Sequence, residues 1–309
     1  MQSSRAAVWA ALLAVYLVWG STYLAIAIVV QTMPPLLSAG VRFTVAGLLM
    51  AAWLAVRGTP LRVSARELGG AAIVGLLLLV GGNGFVMLAE RTVASGLAAL
   101  IVASIPLWIV VFRRIAGEAI GAELFAGVLL GLGGVAVLVV PGGLSGTIDL
   151  AGALMLIGAT LSWSFGTFLS PRLASPRNAL VSTTYQMLTG GVVLLAVGSL
   201  LGEPAHLDPG RFSAQSLVAL AYLVVFGSIV AFSAYTWLLQ HAPVSLVATY
   251  AYVNPVVAVV LGAIVLAEPI TSTMLAGAAI IVASVAFIVT RTGAMRRTPR
   301  PAPLGEPAD

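Results

Sequence analysis

Residues Glu90–Leu107 read ERTVASGLAALIVASIPL and Ala126–Val139 read AGVLLGLGGVAVLV; residues Leu239–Val256 read LQHAPVSLVATYAYVNPV and Ala276–Val289 read AGAAIIVASVAFIV. At a spacing of 149, Leu97 matches Leu246, Ala99 matches Ala248 and Pro106 matches Pro255. One residue later in phase, at a spacing of 150, Glu118 matches Glu268, Ala126-Gly127 matches Ala276-Gly277, and Val135 and Val139 match Val285 and Val289. Fixed landmarks in one order, set in apolar runs of helical length, point to a duplicated membrane unit. Prolines and glutamates are not filler in such runs.

Composition agrees. Apolar residues make up 60% of the 309 and charged residues 8%, more apolar sequence than one soluble core can hold. The net charge of +5 sits in short arginine caps between apolar runs, which argues against a nucleic-acid surface. There is no cysteine, so disulfides and thiolate metal sites are excluded. All fifteen basic residues are arginine, so no lysine exists to form a retinal or pyridoxal Schiff base. No cofactor and no metal is expected, and no Walker loop or Ser-His-acid set is present.

A spanning helix needs roughly 20 apolar residues. That ruler gives ten spans: 7–30, 34–56, 68–89, 93–113, 122–140, 150–169, 179–200, 215–238, 244–266 and 273–290. The expected fold is therefore an all-α polytopic membrane protein. With the N-terminus inside, twelve arginines fall on inner segments and two (Arg91 and Arg211) on outer ones, which places both termini in the cytoplasm. The stretch 291–309, with four arginines and four prolines, reads as a disordered cytoplasmic tail. At a spacing of 144, Trp19 matches Trp163, Arg42 falls opposite Gln186, and Ala46-Gly47 falls opposite Gly190-Gly191. Each repeat then holds five spans, 7–140 and 150–290, and an odd number inverts the second against the first. Two inverted halves share a site near the midplane, the plan of alternating-access carriers.

The ordered set Trp19-Gly20-Ser21 with Tyr23, Arg42-Phe43, Glu118, Asn254-Pro255 and Ala267-Glu268-Pro269-Ile270-Thr271 resembles the drug/metabolite transporter superfamily, in its EamA-type ten-helix branch. The resemblance covers roughly residues 7–290. It implies a plasma-membrane carrier for small metabolites, commonly an exporter of amino acids or related compounds. Its partners are then a small-molecule substrate and the lipid bilayer. A multidrug efflux carrier is the alternative within the class, and an intramembrane lipid-modifying enzyme the alternative outside it.

The residues expected to line the central cavity are Trp19, Tyr23, Asn83, Trp163, Gln186, Tyr250 and Asn254, since an apolar pocket with a few fixed polar groups suits a small metabolite. Tyr250 and Asn254, four apart, share a helix face. Arg42 lies about 12 Å inside its span. It either snorkels to the outer surface or faces the outer mouth as a gating charge for an anionic group. Pro106 and Pro255 each remove a mid-span hydrogen bond and are expected as hinges. Glu118 and Glu268 are expected to cap the fifth and tenth spans. Every acid falls at a span end or in a loop, so facilitated export or exchange is expected rather than proton coupling, with Glu90, Glu118 or Glu268 as the route if a proton is carried.

Overall fold

A computed structural model describes residues 5–144, 148–242, 247 and 250–295. Among them no strand occurs. The helices are α1 (Arg5–Val29), α2 (Pro35–Val56), α3 (Ala65–Gly75), α4 (Phe85–Ala89), α5 (Ser95–Val102), α6 (Ile105–Ile115), α7 (Ala122–Leu144), α8 (Leu150–Leu169), α9 (Ala179–Leu200), α10 (Ala214–Tyr222), α11 (Ala231–His241), α12 (Tyr250–Leu266) and α13 (Ser272–Met295). Two π-helical stretches, π1 (Leu76–Gly84) and π2 (Leu223–Val230), join α3 to α4 and α10 to α11. Seven segments are long and apolar enough to cross a bilayer, and three shorter apolar helices accompany them. Helices are what such sequence must form in lipid, where each backbone N–H and C=O has to be satisfied within its own segment.

The starts are written locally. Ser64 and Glu67 form a capping box at α3, Asp149 accepts from Ala151 and Gly152 at α8, Asn178 accepts from Leu180 and Val181 at α9, and Ser213 accepts from Ser216 at α10.

Close packing is set by glycines, and the contacts are reciprocal at the spacing of the sequence repeat. A methyl group at Gly47 would strike Leu188, and one at Gly191 would strike Thr44, so α2 and α9 meet through matching positions. Gly131 abuts Ser284 while Gly134 abuts Ile281; Gly127 abuts Ile288 while Gly277 abuts Leu138. In both pairs residue numbers climb on one helix as they fall on the other, so α2 runs antiparallel to α9, and α7 to α13. Small residues at these crossings let the backbones approach, the usual basis of helix association in lipid.

Acids hold one end of the bundle together. Glu203 accepts from the Leu36 and Leu37 amides at 3.0 and 2.8 Å, capping α2. Glu268 accepts from the amides of Ser95 and Gly96 and from Ser95 Oγ, at 2.8, 3.0 and 3.0 Å, capping α5. Glu268 therefore caps a helix of the other sequence repeat, not the tenth span expected for it. Its counterpart Glu118 caps nothing. It pairs at the opposite, arginine-rich end with Arg113 at 2.7 Å and Arg172 at 2.8 Å, because two guanidinium forks outcompete the local amides.

Two further departures have local causes. The fourth span is not continuous: it breaks at Ala103 and Ser104, where Pro106, lacking an N–H, stands in the first turn of α6. The Ile105 carbonyl at the break accepts from Ser164 Oγ at 3.1 Å. Pro255, in contrast, lies within an unbroken α12. Finally, α13 runs on to Met295, past the point at 291 where the tail was expected, since the next proline is Pro299. Residues 296–309 of that expected tail, and the expected start of the ninth span at 244, lie outside the described residues.

Candidate functional site

The two π stretches face a central cavity. A π turn shifts the backbone bond to i→i+5 and leaves carbonyls seeking donors. Here side chains supply them: Trp19 Nε1 donates to Gly227 O at 3.3 Å, Ser162 Oγ to Leu77 O at 2.7 Å, and Asn83 Nδ2 reaches Leu78 O at 3.4 Å. Gly82 lies so close to Trp163 that a methyl group would meet the indole at 2.8 Å.

The cavity wall is built from α1 (Trp19, Thr22, Tyr23, Ile26), α2 (Arg42), π1 and α4 (Gly82, Asn83, Val86), the α5–α6 break (Val102, Ile105), α8 (Ala159, Trp163), π2 and α11 (Gly227, Phe232) and α12 (Tyr250, Asn254). The cavity offers about 100 Å³ to the centres of water-sized molecules. Trp19 stands at the middle of an aromatic group, its ring 5.3 Å from Phe232, 5.1 Å from Tyr235 and 5.2 Å from Tyr250. The contacts with Phe232 and Tyr250 are edge-to-face and that with Tyr235 is tilted, geometries that favour aromatic pairing.

Among the polar groups of this wall, Asn254 and Arg42 are buried. Asn254 is 8% exposed, and with its amide turned to suit the surrounding carbonyls Nδ2 donates to Tyr16 O and Tyr250 O, 3.2 Å each. Both donors being used, the side chain has only its oxygen to offer a ligand. Arg42 is 3% exposed, so it does not snorkel. Its Nε donates to Ser228 Oγ at 3.0 Å and its guanidinium carbon lies 4.6 Å from the Phe43 ring centre, while Nη1 has no hydrogen-bond partner. A buried guanidinium nitrogen without an acceptor is costly, and an anionic guest would relieve that cost.

Of the seven side chains expected at the cavity, six line it: Trp19, Tyr23, Asn83, Trp163, Tyr250 and Asn254. Gln186 does not. Its backbone presses on Gly75 of α3, and its Nε2 donates along its own helix to Ser182 Oγ at 3.1 Å. Sequence reasoning missed Gly227, Phe232 and Thr22, and it placed Glu90 at a span end. Glu90 is 6% exposed, and neither carboxylate oxygen has a hydrogen-bond partner. The run Gly81-Gly82-Asn83-Gly84 and the pair Gly227-Ser228 were the available signals for the π stretches; nothing in the sequence marked Glu90 as buried.

The model of the EamA-like transporter family matches residues 5–140 and again 150–290. An Escherichia coli K12 protein named uncharacterized inner membrane transporter YedA is 42% identical over 253 residues, covering 82% of this chain and 80% of its own length. A Salmonella typhimurium protein named probable amino-acid metabolite efflux pump is 28% identical over 296 residues, covering 93% of this chain and 96% of its own. A solved crystal structure, 21% identical, superposes with a TM-score of 0.64 and covers 94% of this chain and 100% of the other, a likeness of fold.

Proposed function

The chain belongs to the EamA-like transporter family, and from that premise we propose that it exports a small amino acid or related zwitterion across the plasma membrane by alternating access. The carrier is read as ten spans in two inverted five-span repeats, 7–140 and 150–290. The reciprocal glycine contacts of α2 with α9 and of α7 with α13 support that reading, because a two-fold axis makes position i meet j and j meet i. Both termini are assigned to the cytoplasm from the arginine bias, so the end joined by Glu203 and Glu268 is the outer one.

The observation that carries the substrate class is Arg42, a buried cation in the cavity wall with one nitrogen unpartnered. A substrate carboxylate supplies the missing acceptor, the Asn254 oxygen takes an ammonium or hydroxyl proton, and the aromatic group receives a short apolar side chain. A lone guanidinium repels cationic drugs, which counts against the multidrug alternative. The amino-acid wording in the name of the Salmonella relative points the same way.

The test is counterflow in proteoliposomes loaded with an amino-acid mixture. Exchange of small amino acids is expected, lost in Arg42→Gln and in Ala159→Phe, which fills the cavity. No exchange of any amino acid would remove that substrate class, and exchange that survives Ala159→Phe would remove the cavity as the site.

A further inference from the structure

Glu90 is a buried acid whose burial the proposed transport step leaves unexplained. It stands one residue beyond Ala89, the last residue of its membrane-spanning helix, and four residues beyond cavity-lining Val86. It is therefore one turn further toward the end that Glu268 closes. Its two oxygens are buried and unpartnered. The groups around it come from three directions: Tyr23 from α1, Arg42 from α2, and Glu268 from the connection between α12 and α13. Arg91 beside it is exposed. No ion pair joins Glu90 to Arg42 among the described residues.

An ionised carboxylate in this position would be buried while facing a second carboxylate, an arrangement buried charges do not tolerate. Burial first, and then the Glu268 charge, push the Glu90 carboxyl well above the usual carboxylate range; the Ala27 amide and Arg42 oppose them less strongly. The neighbour that presses on Glu90 is also the group that closes this end, since Glu268 is bound to the N-terminus of α5.

We propose that Glu90 is a proton-binding site of the carrier, filled when Glu268 docks on α5 and emptied when that end opens to water. This rests on the reading of the chain as an alternating-access carrier. The proton goes from outer water to a Glu90 oxygen on closing and returns to water on opening. No other group changes its bonding apart from the Glu268 contacts. The linkage has a fixed sign. Glu90 holds its proton more tightly in the closed form, so closure is favoured fully below the open-form value, near about 4.3 for a solvated glutamate, and is lost as pH rises through the higher closed-form value. Acid outside therefore holds the carrier shut at that end, and rising pH releases it.

The chain has no cysteine, so a single introduced thiol reports the opening. Met274, in the first turn of α13, is 9% exposed, and its Cε would meet a methyl group on Gly96 at 2.9 Å, directly beneath the Glu268 contacts. Maleimide labelling of Met274→Cys is measured in nanodiscs without substrate, divided by that of exposed Leu201→Cys to cancel the intrinsic thiol titration. The ratio is expected to rise several-fold from about pH 5 to about pH 8, and to stay at its low acid value throughout when Glu90→Gln is added. A flat ratio in the Glu90 protein, or an undiminished rise with Glu90→Gln, overturns the proposal. Should Glu90→Gln fail to fold, infrared titration of the unaltered chain replaces it. A protonated-carboxyl carbonyl band that persists to higher pH than those of solvated carboxylates is expected, and its absence overturns the proposal. Neither measurement uses a substrate, so failure of the amino-acid reading would leave both outcomes intact.

Discussion

Replacing Glu268 with glutamine should open the end of the bundle at which it caps α5. The carboxylate accepts three hydrogen bonds there, from Ser95 N, Gly96 N and Ser95 Oγ, and its charge faces the positive end of the α5 dipole. Glutamine keeps one oxygen, enough for part of this set, and loses the charge. A charge near a helix N-terminus contributes about 0.3–1 kcal/mol, up to about 2 when partly buried, and a lost bond adds about 1. A total of about 1–2 kcal/mol multiplies the open-to-closed ratio by roughly 5–30. The assay is a spin-label distance measurement between cysteines at exposed Arg91 and at Ile270, which is 49% exposed and lies two residues beyond Glu268. Glu268→Gln should move population to longer distances by that factor, while Glu118→Gln, at the other end, should leave the distribution unchanged. Superimposable distributions for Glu268→Gln and the parent would refute the latch.

Two further outcomes follow from packing and charge. Gly134→Val puts new carbon where Ile280 Cγ2 already lies 2.9 Å from the first methyl position, so it should destabilise by about 1–3 kcal/mol; Gly133→Ala, with open space, should not, and thermal unfolding in detergent distinguishes them. At the arginine-rich end, the hydrogen bond from Arg113 first, and then the charges of Arg113 and Arg172, hold the Glu118 carboxyl below its usual range. Its stabilising contribution is thus present at neutral pH and lost as pH falls through that lowered value. The melting-temperature gap between the parent and Glu118→Gln should close on acidification, and a gap that persists would refute the assignment.

Much of this was readable because it depends on periodicity and length. Apolar runs bounded by Ser64, Asp149, Asn178 and Ser213 fix most helix starts within a few residues, and the matched Trp19 and Trp163 lead to the cavity. What failed depends on which way a side chain turns. Gln186 sits opposite Arg42 in the repeat, yet its helix face is spent on Gly75. Glu118 and Glu268 occupy matching positions but meet different partners, one a pair of arginines and the other a helix start from the distant half. Glu90 reads as the end of a span, whereas three-dimensional packing encloses it. Local pattern carries no information on such long-range partners.

The π stretches give the chain a phase problem that any comparison by simple helical wheel will inherit. A π turn accommodates about one residue more than an α turn, and one residue of an α-helix is about 100° of rotation. Everything after Gly84, including Val86 and Glu90, is therefore aimed about a quarter-turn away from where an ideal helix drawn from Ala65 would put it. Deleting a single residue within 76–84 would restore a regular α-helix and swing Glu90 off its present bearing, without altering hydropathy. A one-residue gap here in a relative is thus a change of facing, and should be scored as a change of site rather than a neutral loop event.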